Sequence, residues 1–183
     1  MKNSTLPSEE VLALICVTVS DLLAYLNQDD ITTIRFRHKF LKSYLLEFLQ
    51  CGMVHEVIFE VTGTTILLLG PQLDEFGILP LLLPYLKSAA TVPEVSRLVI
   101  RLIGDLFRAL GNESVPYLDD FCKKVFMILS KNEVDSKLQA DCIATLNDMA
   151  ISVGSQHFQP YLAELFRQLQ HASGFTDKNV QYN

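Results

Sequence analysis

Apolar residues recur along this chain at helical spacing, in blocks broken by Gly, Pro and Asn, and no segment alternates convincingly with period two. In 93–110, Leu98, Leu102, Leu106 and Leu110 lie off a narrow arc that carries Glu94, Arg97, Arg101, Asp105 and Arg108. Some forty residues on, Lys137, Asp141, Thr145, Asp148 and Ser152 share one face in the same way. A second set of stripes follows each of these: Asp120, Lys124, Met127 and Lys131 opposite Leu118, Phe121, Val125 and Leu129, then Glu164, Gln168 and His171 opposite Leu162, Leu165 and Leu169. The pattern predicts outer helices near 8–26, 54–69, 93–110 and 135–153, and inner helices near 34–50, 76–88, 116–131 and 159–172. Pro80 and Pro84 make the second inner helix start late or kink, because an interior proline removes a hydrogen bond and clashes with the preceding turn.

The blocks repeat. "LIGDLFRALGNESVPYLDDF" and "TLNDMAISVGSQHFQPYLAELF" align on Gly111 and Gly154, each with an aspartate (Asp105, Asp148) six residues earlier and a Pro-Tyr-Leu group after. Equivalent turns fall at Gly70 and Asn27, so the turn positions 27, 70, 111 and 154 are spaced 43, 41 and 43. Two-helix HEAT or armadillo-like units recur at about 40–47 residues. A hairpin of that size cannot bury its apolar face alone, so neighbours stack to complete the core. The expected fold is all-α: a HEAT-repeat α-solenoid of about four units, stacked as a right-handed superhelix. The units are about 8–50, 54–88, 93–131 and 135–172, within an array over 1–175, and 176–183 is a frayed tail.

Composition narrows the class. Hydrophobic residues make up 49% of the 183, and the mean hydropathy is +0.25. The longest apolar runs, "TILLLG" and "ILPLLLPYL", are too short for a spanning helix of roughly 20 residues, and "MKNSTLPSEE" makes a poor secretory signal. A soluble intracellular protein without membrane insertion is expected. The net charge of −6 argues against direct nucleic-acid binding, which uses a basic stripe, and is compatible with basic protein partners. Cys16, Cys51, Cys122 and Cys142 lack Cys-x-x-Cys spacing and read as reduced thiols in helix cores.

Catalytic chemistry is not evident. The sequence carries no phosphate-binding Gly-rich loop, no HExxH and no GxSxG. His38, His55, His157 and His171 fall on different units without metal-ligand spacing. Asp29-Asp30 and Asp119-Asp120 sit near helix starts, where acids favour the macrodipole. No catalytic residue, metal or cofactor is expected, and the protein is read as a non-enzyme. The basic cluster "IRFRHKFLK" admits phosphate or RNA contact, but helical spacing favours Phe36 and Phe40 in the core with Arg35, Arg37, His38, Lys39 and Lys42 as a solvated face.

"RLVIRLIGDLFRALGNESVPYLDDFCKKVFMIL" with "LQADCIATLNDMAISVGSQHFQPYLAELFRQLQHAS" resembles the importin-β (karyopherin-β) family, from past the middle of its superhelix. Gly104-Asp105-Leu106, Asp148, Ala150, Gly154, Tyr161-Leu162, Leu169-Gln170 and Ala172-Ser173 carry the likeness, while Asn147 stands where the family has glycine and Leu146 where it has phenylalanine. The resemblance implies a protein-binding scaffold in nucleocytoplasmic transport, acting in protein import into the nucleus. It implies residence in cytoplasm, nucleus and nuclear pore, with Phe-Gly nucleoporins, Ran GTPase, and import cargo or importin-α as partners. A HEAT scaffold outside transport shares the repeat and is the competing reading. The family's nucleoporin contacts use grooves between outer helices; Ile100, Phe107, Ala144 and Ile151 flank the polar stripes, where they line such a groove or pack into the core. Asp120, Lys124, Met127, Glu164 and Gln168 on the inner stripe are the candidates for cargo or Ran contact.

Overall fold

A computed structural model describes residues 8–26, 30–50, 56–74, 77–131 and 135–173. The tail at 176–183 and the first turn position, Asn27, lie outside these, as do Cys51, His55 and Asp29. Among the described residues the structure is helical throughout, with no strand. The helices are α1 (Glu9–Tyr25), α2 (Ile31–Phe40), α3 (Leu46–Gln50), α4 (Glu56–Leu69), α5 (Leu79–Ala89), α6 (Pro93–Leu110), α7 (Leu118–Leu129), α8 (Ser136–Phe158) and α9 (Leu162–Ser173). One π-helical turn, Leu41–Leu45, joins α2 to α3, so the two run on as a single rod.

The boundaries have local causes. Asp30 and Asp135 cap α2 and α8, their carboxylates accepting from the Thr33 and Leu138 amides at 3.1 and 3.4 Å. Pro93 and Pro80 occupy first turns, where the missing N–H costs nothing; this sets the start of the second inner helix at Leu79 rather than near 76. Gly70, Gly111 and Gly154 all have positive φ (53°, 54° and 76°), a region open to glycine without penalty. Gly154 interrupts α8 with φ 76° and ψ 162°, redirecting the chain toward α9 near the position predicted.

Two layers result. The first helices of successive hairpins stack as α1 on α4, α4 on α6 and α6 on α8, while α5 packs against α6, α7 against α8, and α9 against α7. One contiguous apolar cluster runs from Ala13 to Phe158 and includes Leu73, Val99, Leu106, Phe121 and Met149. Cys16, Cys122 and Cys142 are free and buried within it, and burial pushes the Cys122 and Cys142 thiols up to about 12. No described helix is long and apolar enough to cross a membrane.

The polar stripe of the outer helices lies along the seams between them. Arg101 reaches back to Glu56 and Glu60 on α4, at 3.4 and 3.5 Å, whereas Arg97 reaches forward to Asp141 on α8 at 2.5 Å. Arg108 pairs with Asp105 and lies 3.8 Å from Asp148. Each aspartate is seated against a glycine of the preceding hairpin: Asp105 against Gly63, and Asp148 against Gly104. A β-carbon at Gly63 would overlap Asp105 Oδ2. Gly63→Ala therefore destabilises the fold even though alanine is favoured over glycine inside a helix by about 1 kcal/mol. In an Asp105→Ala background the same change stabilises. Urea denaturation of this four-member cycle checks the reversal of sign.

Candidate protein-binding surfaces

The outer-groove candidates separate on folding. Ile100 and Phe107 are fully buried, and Phe107 packs edge-on against Phe121 with ring centroids 6.0 Å apart. They belong to the core and line no surface groove. The reason is geometric: a first-layer helix is covered from the hairpin before, the hairpin after and its own second helix, so residues flanking a polar stripe are still enclosed. Ala144 and Ile151 are exposed, Ile151 at 73%. They do not come together with the other two into a groove.

The inner-face candidates remain largely on the surface. Asp120 and Met127 are exposed on α7, and Lys124 is half-buried beside them. Asp120 forms an ion pair with Lys87 of α5, linking two hairpins. That pairing, with the nearby Lys123 and Lys124, holds the Asp120 carboxyl below its ordinary range. On α9, Glu164 accepts from Arg167 Nε at 2.8 Å and from Gln168 Nε2 at 2.7 Å. These bonds bring the Glu164 carboxyl down to about 2. Gln168 is buried, so it supports Glu164 from below instead of facing a partner. Tyr161 donates its hydroxyl to Asp119 at 3.2 Å, tying the start of the last inner helix to α7. The sequence singled out Asp119 as a helix-start acid and Tyr161 as a repeat residue, and did not point to Lys87; that the three bind neighbouring inner helices together was not legible, because a side chain's spacing carries no register signal across hairpins.

The basic cluster follows the solvated-face expectation in part: Arg35, Lys39 and Lys42 are exposed and Phe40 is buried, but three positions depart from it. Arg37 and His38 are buried, while Phe36 is 57% exposed. Thr33, Ile34, Arg37, His38, Leu41 and Leu45 form the buried side of the rod, and Arg37 Nη2 donates to the Leu23 carbonyl in the last turn of α1 at 2.7 Å. A guanidinium there meets the negative end of the α1 dipole, which helps offset the cost of its burial. His38 is brought down to about 4, chiefly by burial, with a backbone contact at Gln72 acting the other way. Among the described residues, no group of three or more His, Cys, Asp or Glu side chains comes together to hold a metal.

Stacked two-helix hairpins with glycine-seated aspartates between them define a helical-repeat solenoid. The family described as "Importin subunit beta-1-like, TPR repeats" matches residues 9–183. The chain belongs to that importin-β family. Importin subunit beta-1 of Schizosaccharomyces pombe (strain 972 / ATCC 24843) is 26% identical over 172 residues, which is 90% of this chain. The chain spans about a fifth of that relative's length, 19%. The turn spacing, 41 to 43 residues, is longer than the 34 or so of a typical TPR unit and falls in the HEAT range.

Proposed function

We propose that this chain is a non-enzymatic protein-binding scaffold of nucleocytoplasmic transport, engaging a transport partner through the inner surface of α7 and α9. The observation that carries this reading is the stripe of exposed Asp120 and Met127 with half-buried Lys124 on one helix of an importin-β repeat array. Charged groups already held by Lys87 and Arg167 present a fixed polar rim, and Met127 supplies an adaptable apolar centre. Ran-GTP, import cargo and importin-α are the partners that such a surface would take in this family. A Phe-Gly nucleoporin contact has less support, because two of its four candidate residues are enclosed. Residence in cytoplasm and nucleus, with access to the nuclear pore, follows from the same reading.

The test is a titration of one folded preparation with Ran-GTP, importin-α and Phe-Gly peptides. Asp120→Lys and Met127→Ala are expected to weaken the favoured partner by about tenfold each, the size of a modest hot-spot contact. Ile151→Lys should leave that binding unchanged. Phe-Gly binding lost on Ile151→Lys would move the site to the outer face. Binding of none of the three ligands would replace the transport reading with a HEAT scaffold of another kind.

A further inference from the structure

Charge divides between the two layers of helices. In the first layer, α1 and α4 carry Glu10, Asp21, Glu56 and Glu60 and no lysine or arginine. The arginines of α6, Arg97, Arg101 and Arg108, are each paired to acids in the seams. The second layer reverses the balance. Arg35, Lys39 and Lys42 are exposed on the α2–α3 rod against the acid Glu47, and α5 carries Lys87 with no acid. In a chain of net charge −6, the unpaired cations gather on one side.

The α7 surface shows what that side offers a partner. Its two acids are held within the protein. Asp119 accepts from the Tyr161 hydroxyl at 3.2 Å and from Lys123 at 2.5 Å, while Asp120 takes Lys87. Lys87, Lys123 and Lys124 together draw the Asp120 carboxyl below its ordinary range. Among the described residues, no ion pair holds Lys124 or Lys131. Lys131 follows the last turn of α7, where its amide still donates to the Ile128 carbonyl at 3.2 Å. Two helical turns separate it from Lys124, roughly 10 Å along the axis at about 1.5 Å per residue, and exposed Met127 lies between them. A second-layer neighbour flanks α7 on each side, α5 through Lys87 and α9 through Tyr161. A further hairpin of the stack would seat beside α8 and α9, not over this face.

From this pattern we infer that the α7 surface takes an acidic amphipathic helix of a partner protein, with carboxylates on Lys124 and Lys131 and an apolar side chain between them on Met127. Carboxylates at i and i+7 of a helix span the same distance, and an apolar residue at i+3 or i+4 shares their face. Methionine adapts to varied apolar shapes. The inference rests on the inner-surface reading proposed above and adds the chemistry of the partner segment. Asp120 is a positioning residue within it. Its carboxylate gathers the lysines, so Asp120→Lys scatters them by like-charge repulsion and weakens binding although it adds a positive charge. A nucleic acid fits less well, because Asp119 and Asp120 interrupt the lysines and would oppose a continuous phosphate backbone.

Fluorescence anisotropy with the 183-residue chain and two labelled helical peptides tests this. One peptide carries Glu at i and i+7 with Leu at i+3 and i+4; the other has Lys in place of both Glu. The Glu peptide is expected to bind at least about tenfold more tightly at low salt, with the preference shrinking as salt rises, since the contacts are exposed to screening. Lys124→Glu combined with Lys131→Glu should abolish the preference. Lys137→Glu, an exposed position on first-layer α8, should leave it intact. Equal binding of the two peptides overturns the inference. So does an equal loss on Lys137→Glu, or tighter binding of an oligouridylate than of the Glu peptide. Ran-GTP or importin-α bound through α7 and unmoved by the double substitution would overturn the inference and leave the transport reading standing. Glu-peptide binding with neither protein bound would uphold the inference and remove that reading.

Discussion

Replacing Phe107 by alanine lowers the unfolding free energy by about 3–5 kcal/mol, the range for a buried aromatic truncated to a methyl group. The ring is fully enclosed and packs edge-on against Phe121, so its loss leaves a cavity in the third hairpin and also removes an aromatic pair. Domains of this kind are stable by only about 5–15 kcal/mol, so the change consumes a large share of the whole. Guanidinium denaturation measures it directly. Ile151→Ala, in the parallel repeat but on the surface, should stay within about 0.5 kcal/mol of the parent. A small effect at Phe107 with a large one at Ile151 would mean that the first-layer helix is rotated from the orientation described.

Stability falls as pH drops from about 6.5 toward about 4, and His38 is a principal cause. Its folded pKa, about 4, lies below the ordinary 6.5 because burial disfavours the imidazolium. Between those values the unfolded chain binds a proton that the folded chain refuses, so acid favours unfolding. The contribution is fully present above pH 6.5 and is lost through that window, amounting to roughly 3 kcal/mol at 1.36 kcal/mol per pH unit. Comparing His38→Met with the parent across this range isolates it, since carboxylates elsewhere titrate alike in both proteins. Glu164, brought down to about 2, keeps its charge through the window. Parallel stability curves for the two proteins would contradict the burial of a neutral His38.

The repeat was legible in the sequence because its turn positions demand unusual backbone. Gly70, Gly111 and Gly154 adopt positive φ, so glycine recurs where the chain reverses, and the apolar spacing between turns fixes the helices. Residue roles across junctions were less legible. A helical wheel places Arg97 and Arg101 on one arc, yet Arg97 reaches forward to α8 and Arg101 back to α4. It cannot distinguish a solvent stripe from a seam, which is why Ile100 and Phe107 were candidates for a groove. Charge misled in the first hairpin, where Arg37 is buried against the end of α1 and Phe36 is exposed. On the inner stripe the wheel gave exposure more closely: Asp120 and Met127 are exposed on α7, Lys124 and Glu164 are half-buried, and Gln168 is turned inward.

We propose above that this importin-β repeat array presents a partner surface on its inner helices. Amide chemical-shift mapping of the isotopically labelled chain during titration with Ran-GTP, and separately with importin-α, tests it most directly. Perturbations from at least one partner are expected to cluster around Asp120, Lys124, Met127 and Glu164 on α7 and α9. Shifts confined to the exposed edge of α8 around Ala144 and Ile151, or no shifts with either partner, would contradict the account.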